Sequence, residues 1–273
     1  MESELEITDV MIDGYSQRIA VRSYRPVVAH KLPVLFCLHG GGFVEGGVND
    51  VRDLSIRMAR MLPAWVIGVE YSLAPSLPFP AALEDVYLAI RWAADNASRY
   101  RADPQRMAAV GSEAGGSIVA GVSAMARDRA APVLRAQVLL APLLDPSMTR
   151  VGEPTSRLVT DEMRARAAAQ CYRAYLPAVS DRTHPYAAPI ESKRLARLPA
   201  TLIASADKDI FRADGEAYAR ALISAGVPVV ATRYGAGDAS ELAENDAVLG
   251  DAMEFLRKHL TPEGQRTGDV NPR

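Results

Sequence analysis

The chain has 273 residues, of which 49% are hydrophobic and 23% charged, the usage of one large globular domain or at most two small ones; collagen, coiled coil and wholesale disorder are excluded. Net charge is −2, so no basic surface recommends nucleic acid or anionic lipid as a partner. The two cysteines, Cys37 and Cys171, make no disulfide framework and no metal-ligand spacing, and nothing in the sequence calls for a metal or cofactor.

The opening MESELEITDV has neither the basic nor the apolar region of a secretory leader. No apolar run approaches the ~18 residues of a membrane span. The expectation is a soluble, cytoplasmic protein.

In chain order, strands are predicted at 17–24, 34–38, 65–70, 107–110, 136–140, 201–204 and 229–233. Between them, 51–61, 82–98, 117–127, 215–225 and 245–259 carry the helical apolar period. This alternation predicts an α/β fold, a mostly parallel central sheet flanked by helices. The runs 34–38 and 137–140 are nearly continuous in apolar residues, as in strands buried on both faces. The stretch 146–189 breaks the alternation and holds one convincing helix, 161–175. It reads as a cap inserted over the carboxyl edge of a core made of 1–145 and 190–260. The tail 261–273 is polar, with Pro and Gly, and is expected to be disordered.

Three motifs carry chemistry. His39-Gly40-Gly41-Gly42-Phe43 follows a predicted strand, and its glycines let backbone N–H groups approach a ligand closely. A glycine-rich turn with no further role is the plainer alternative. Gly111-Ser112-Glu113-Ala114-Gly115-Gly116 lies between a strand and a helix, the setting of a nucleophile elbow. Tyr71-Ser72-Leu73-Ala74-Pro75 continues through Phe79-Pro80-Ala81-Ala82 to Asp85; alone it reads as a loop leading into a helix.

Together these resemble the hormone-sensitive-lipase branch of the α/β-hydrolase superfamily, whose bacterial members are mostly carboxylesterases. The family patterns are HGGG, then Y-x-L-A-P…F-P-A-A…D, then G-D-S-A-G-G. The segment from Asp209 to Tyr218 is similar to the family's D-P-L-R-D-E-G-x-x-Y, and 158–177 looks like its cap helix. The resemblance implies an α/β-hydrolase fold with a reduced cap, Asp209 as catalytic acid, and an oxyanion hole of Gly41, Gly42 and Ala114 amides. Family members usually carry a helical segment before the first strand, whereas this chain enters strand-like sequence almost at once. The lid is therefore expected to rest on the insertion, leaving a wider mouth or one covered by a second copy in a homodimer.

The departures bear on mechanism. The resemblance puts the family's serine nucleophile at Glu113 and its histidine at Ala239, to within about one residue. Ser112 lacks the flanking glycines an elbow needs, with Val110 and Ala114 in their places. Of the histidines His30, His39, His184 and His259, only His184 is placed to face the pocket from the cap side, and a loop histidine without chemistry is the plainer alternative. Loss of the triad serine or histidine costs on the order of 10⁶ in kcat. Ordinary ester hydrolysis is thus disfavoured.

Two functions remain open beside a weak hydrolysis by some other route. In the first, Glu113 is a general acid/base beside a retained oxyanion hole, acting with Asp209 nearby on an apolar carbonyl-containing small molecule. Enolisation, dehydration, decarboxylation or cyclisation, as in secondary metabolism, suits such a site. In the second, the pocket binds a small molecule without changing it, as plant gibberellin receptors of this family do, or Glu113 folds into the hole and closes it.

Overall fold

The computed structural model describes residues 4–151 and 159–261. Eight strands form one sheet: β1 (Leu5–Asp13), β2 (Arg18–Pro26), β3 (Leu32–Leu38), β4 (Trp65–Val69), β5 (Ala102–Ser112), β6 (Leu134–Leu140), β7 (Ala200–Ala206) and β8 (Val229–Tyr234). Their spatial order is β1-β2-β4-β3-β5-β6-β7-β8. β2 is antiparallel to both β1 and β4, and every later pairing is parallel. This is the predicted α/β-hydrolase architecture, a mostly parallel sheet flanked by helices.

Period-two alternation explains the layering. On β3, Val34, Phe36 and Leu38 join the cluster under α2 (Ala81–Asn96), α3 (Ala114–Asp128) and α5 (Arg212–Ser224). Leu35 and Cys37 face the other way, onto α1 (Arg52–Met61) and α7 (Asp246–Leu260). Trp65 and Ile67 of β4 divide from Val66 in the same manner. Central strands with helices on both sides have no polar face, which is why their sequences run apolar without a break.

Two elements differ from the expectation. β1 lies before the first predicted strand. Most of its side chains are exposed, so it carries no apolar run; the ladder to β2 holds it, helped by cross-strand pairs. Arg22 makes two bonds to Asp9, at 2.7 and 2.9 Å, and Arg25 pairs with Glu6. The second is α6 (Ala239–Glu244), capped by Asp238, whose carboxylate accepts the Ser240 and Glu241 amides at 2.9 and 3.2 Å. A six-residue helix is too short to show periodicity.

The motif ending at Asp85 does structural work. Asp85 is fully buried and accepts the Ser72 amide at 2.9 Å and the Tyr15 amide at 2.7 Å, tying α2 to the loop after β4 and to the β1–β2 hairpin. α4 (Val159–Tyr175), the helix of the expected insertion, packs over the carboxyl ends of the strands: Tyr175 stacks on Phe43 at 4.1 Å, with the rings 1° from parallel. Apart from Thr261, the tail predicted to be disordered lies outside the described residues.

Candidate active site

β5 ends at Ser112, and Glu113 turns the chain into α3 with φ 54° and ψ −115°. Positive φ on a residue with a side chain costs about 1–3 kcal/mol and persists only where neighbours over-determine it. Here the Glu113 N–H donates to the Leu140 carbonyl at 2.9 Å, and the Glu113 carbonyl accepts the Ser117 and Leu143 amides at 3.2 Å each. Gly115 is demanded by close approach, since a Cβ there would lie 2.3 Å from the His39 carbonyl oxygen. α3 thus starts at Ala114, three residues before its predicted start, because its first turn is specified by this tertiary contact and not by periodicity.

The glycine turn is fixed from beneath. The Tyr71 hydroxyl donates to the His39 carbonyl at 2.8 Å, and its ring stacks on the imidazole at 4.1 Å. Burial holds the pKa of His39 below its ordinary value, opposed by the Gly40 carbonyl and by Glu70 and Asp50. The residue is therefore a neutral support for the turn. Gly42 has φ 58°, and a Cβ there would meet the Cys171 sulfur at 2.7 Å, so α4 rests directly on this turn.

Into that turn reaches Glu113. Its Oε2 accepts the Gly41 N–H at 2.6 Å and the Gly42 N–H at 3.3 Å. Ala114 is fully buried at the start of α3. The two amides that hold the carboxylate belong to the glycines.

Asp209 follows β7 and is 6% exposed. Its Oδ1 accepts the Phe211 amide at 3.3 Å and Arg164 Nη2 at 3.2 Å. Burial pushes its pKa above the ordinary carboxylate value; the Phe211 amide and Arg164 counter this, while Asp238 and Glu113 add to it. The partner of this acid is an arginine from α4.

A cavity of about 350 Å³ joins these groups, within the range of small-molecule sites. Gly41, Gly42, Glu113, Asp209 and Ala239 all line it, whereas Ala114 and His184, the histidine expected to face the pocket, do not. Leu143, Phe211 and Ala141 give it apolar walls. Five polar or thiol-bearing lining residues were not read from the sequence as site residues: Arg164, Cys171, Asp238, Ser240 and Glu45. Residues 164, 167, 168 and 171 sit three, four and seven apart, one face of a helix, and that spacing was the available signal. Burial, followed by Glu113 and Glu45, pushes the Cys171 thiol up.

None of the four histidines is among the residues lining this cavity. His184 packs between Phe79 and Tyr186, each ring 5.1 Å away, and accepts the Tyr186 amide at 3.2 Å. His259 lies on the Phe255 ring at 4.6 Å, and His30 borders a separate cavity with Arg106 and Arg257. Among the described residues no group of three His, Cys, Asp or Glu is placed to hold a metal, and no helix is long and apolar enough to cross a membrane.

Residues 35–238 match the α/β hydrolase fold family. The chain belongs to that family. Proteins similar to it include esterase LipI of Mycobacterium tuberculosis (strain ATCC 25618 / H37Rv), 37% identical over 234 residues, which are 83% of this chain and 72% of that one. Ethyl acetate hydrolase of Pseudomonas putida is 33% identical over 265 residues, 91% of this chain and 80% of its own. Among solved α/β-hydrolase structures, the thermostable carboxylesterase EstE1, cloned from a metagenomic library, superposes with a TM-score of 0.85. It is 31% identical over 96% of this chain and 92% of that one.

Proposed function

We propose that this α/β hydrolase has given up ester hydrolysis by a serine nucleophile and uses its pocket to hold a small molecule. One observation carries the reading: the Glu113 carboxylate sits on the amides of Gly41 and Gly42. In an acyl-transfer enzyme such amides stabilise the oxyanion of the transition state, each donor being worth roughly 2.7–4 kcal/mol. Here a side chain of the protein itself takes that place. Glu113 stands for the family's nucleophile and Ala239 for its histidine, which leaves Asp209 without the imidazole it would orient. General acid/base work by Glu113 on a carbonyl held in the same hole requires the carboxylate first to leave it, so binding is the simpler use of this arrangement.

The names of the relatives favour ester hydrolysis as the second reading. It needs another nucleophile, and the cavity offers Cys171 and Ser240. Burial and the neighbouring Glu113 keep the Cys171 thiol protonated, which makes it a poor candidate.

The deciding experiment measures p-nitrophenyl acetate and butyrate turnover and labelling by a serine-directed fluorophosphonate. Background rates and no labelling are expected. A kcat within about 1–10³ s⁻¹, or stoichiometric labelling, would overturn the reading in favour of hydrolysis.

A further inference from the structure

We propose that the pocket selects a small organic cation, an ammonium group on an apolar body, over neutral and anionic molecules of the same shape. The proposal rests on the reading of this cavity as a ligand site and adds the charge class of the ligand. Among the described lining residues, Glu113, Asp209, Asp238 and, on the exposed rim, Glu45 face a single guanidinium, Arg164.

The hydrogen bonds of these groups show why the charge stays unbalanced. Glu113 is held by the Gly41 and Gly42 amides, and Asp238 by the Ser240 and Glu241 amides. Neutral donors satisfy a carboxylate's lone pairs without cancelling its charge. Among the described residues, only Asp209 of these carboxylates has an ion-pair partner, Arg164, at 3.2 Å. Asp209 also feels Asp238 and Glu113 as like charges, which places the three carboxylates within electrostatic reach of one another. A cavity with low-dielectric walls focuses such a field on whatever enters.

A bound ammonium donates up to three hydrogen bonds and adds the missing positive charge where the carboxylates converge. An anion would have to draw Arg164 from Asp209 and then sit beside the remaining carboxylates. Leu143, Phe211 and Ala141 supply the surface against which the apolar body of the ligand is buried.

The test titrates the full chain at pH 7.5 with benzylamine, benzyl alcohol and benzoate, followed by protein NMR. The three share a ring and differ in charge. Benzylamine is expected to bind at least about tenfold tighter than benzyl alcohol, a step of ~1.4 kcal/mol, and benzoate not to bind. Added salt should shrink the preference. Asp238→Asn, which keeps the helix cap, and Glu113→Gln, which keeps an acceptor for the two amides, should each reduce it. Equal binding of amine and alcohol would overturn the charge assignment while leaving the cavity a ligand site. Tighter binding of benzoate, no binding of any probe, or a preference untouched by Asp238→Asn would overturn it as well. Failure of the underlying reading shows separately, as ester turnover by the unaltered chain.

Discussion

Arg164 of α4 donates to Oδ1 of Asp209 at 3.2 Å, spanning from the helix over the pocket to an acid that is almost wholly buried. The guanidinium already pairs with the carboxylate that a restored imidazole would have to engage, so a rebuilt triad is expected to work best when Arg164 is replaced as well. Glu113→Ser with Ala239→His is expected to give weak turnover of p-nitrophenyl butyrate. Adding Arg164→Ala should raise it by about tenfold or more, the worth of freeing a charge-assisted hydrogen bond. Either single triad substitution should do far less, because triad members act as a unit. If no folded variant gains activity, the placement of the histidine at 239 is wrong.

Strain at the elbow predicts an ordering of stabilities. Glu113→Ala loses the carboxylate that the Gly41 and Gly42 amides hold, yet keeps a Cβ at φ 54°. Glu113→Gly loses the same bonds and removes the steric penalty. The glycine variant should be the more stable of the two by about 1–2 kcal/mol. Urea unfolding of both proteins, compared at equal m-value, reads this directly. The reverse order would show that no strain is stored there.

Contact between the glycine turn and α4 is open to a double-mutant cycle. Gly42→Ala places a methyl 2.7 Å from the Cys171 sulfur and should destabilise the fold by about 1–3 kcal/mol. Cys171→Ala makes room, so in its background the same substitution should cost distinctly less, the remainder being the price of positive φ. Additive effects in thermal unfolding would place the strain elsewhere.

Stability should respond to pH through Asp214. It is 4% exposed, and its Oδ2 accepts the Leu144 and Asp145 amides at 3.1 and 3.0 Å. Burial and the charge of Asp145 push its pKa up to about 7, against the pull of those amides and Arg150. Asp145 is itself buried, but Ser147, Arg150 and Thr149 donate to it and hold its pKa below the ordinary value, so it stays ionised through this range. Between pH 4 and 7 the native state keeps a proton on Asp214 that the unfolded chain releases. Stability contributed at this site therefore falls as pH rises through that window. Asp214→Asn keeps an acceptor for both amides and has no charge to lose. The melting temperature of this variant relative to the parent should climb from pH 4 to about pH 7 and level off above it. A constant difference across the range would contradict the assignment.

The sequence by itself determined the sheet and its helices, because central strands buried on both faces must be apolar without interruption and the helices between them must alternate every 3.6 residues. It also marked Gly41, Gly42 and Glu113, since an elbow and a close-approach turn demand small residues at fixed spacing, while Asp209 was marked by the family resemblance. β1 and α6 escaped it for one reason: each is held by hydrogen bonds and side-chain caps that leave no apolar period. Only the tertiary structure decided what the site contains. Arg164, Cys171 and Asp238 come from segments remote in the chain, and nothing local to them specifies that they meet. The position of the Glu113 carboxylate on the Gly41 and Gly42 amides, 72 and 71 residues away, depends on the packing of β3 beside β5 and on the turn that follows each strand. Which side chain fills a hole is a matter of three-dimensional reach, and a linear pattern records residue type without that reach.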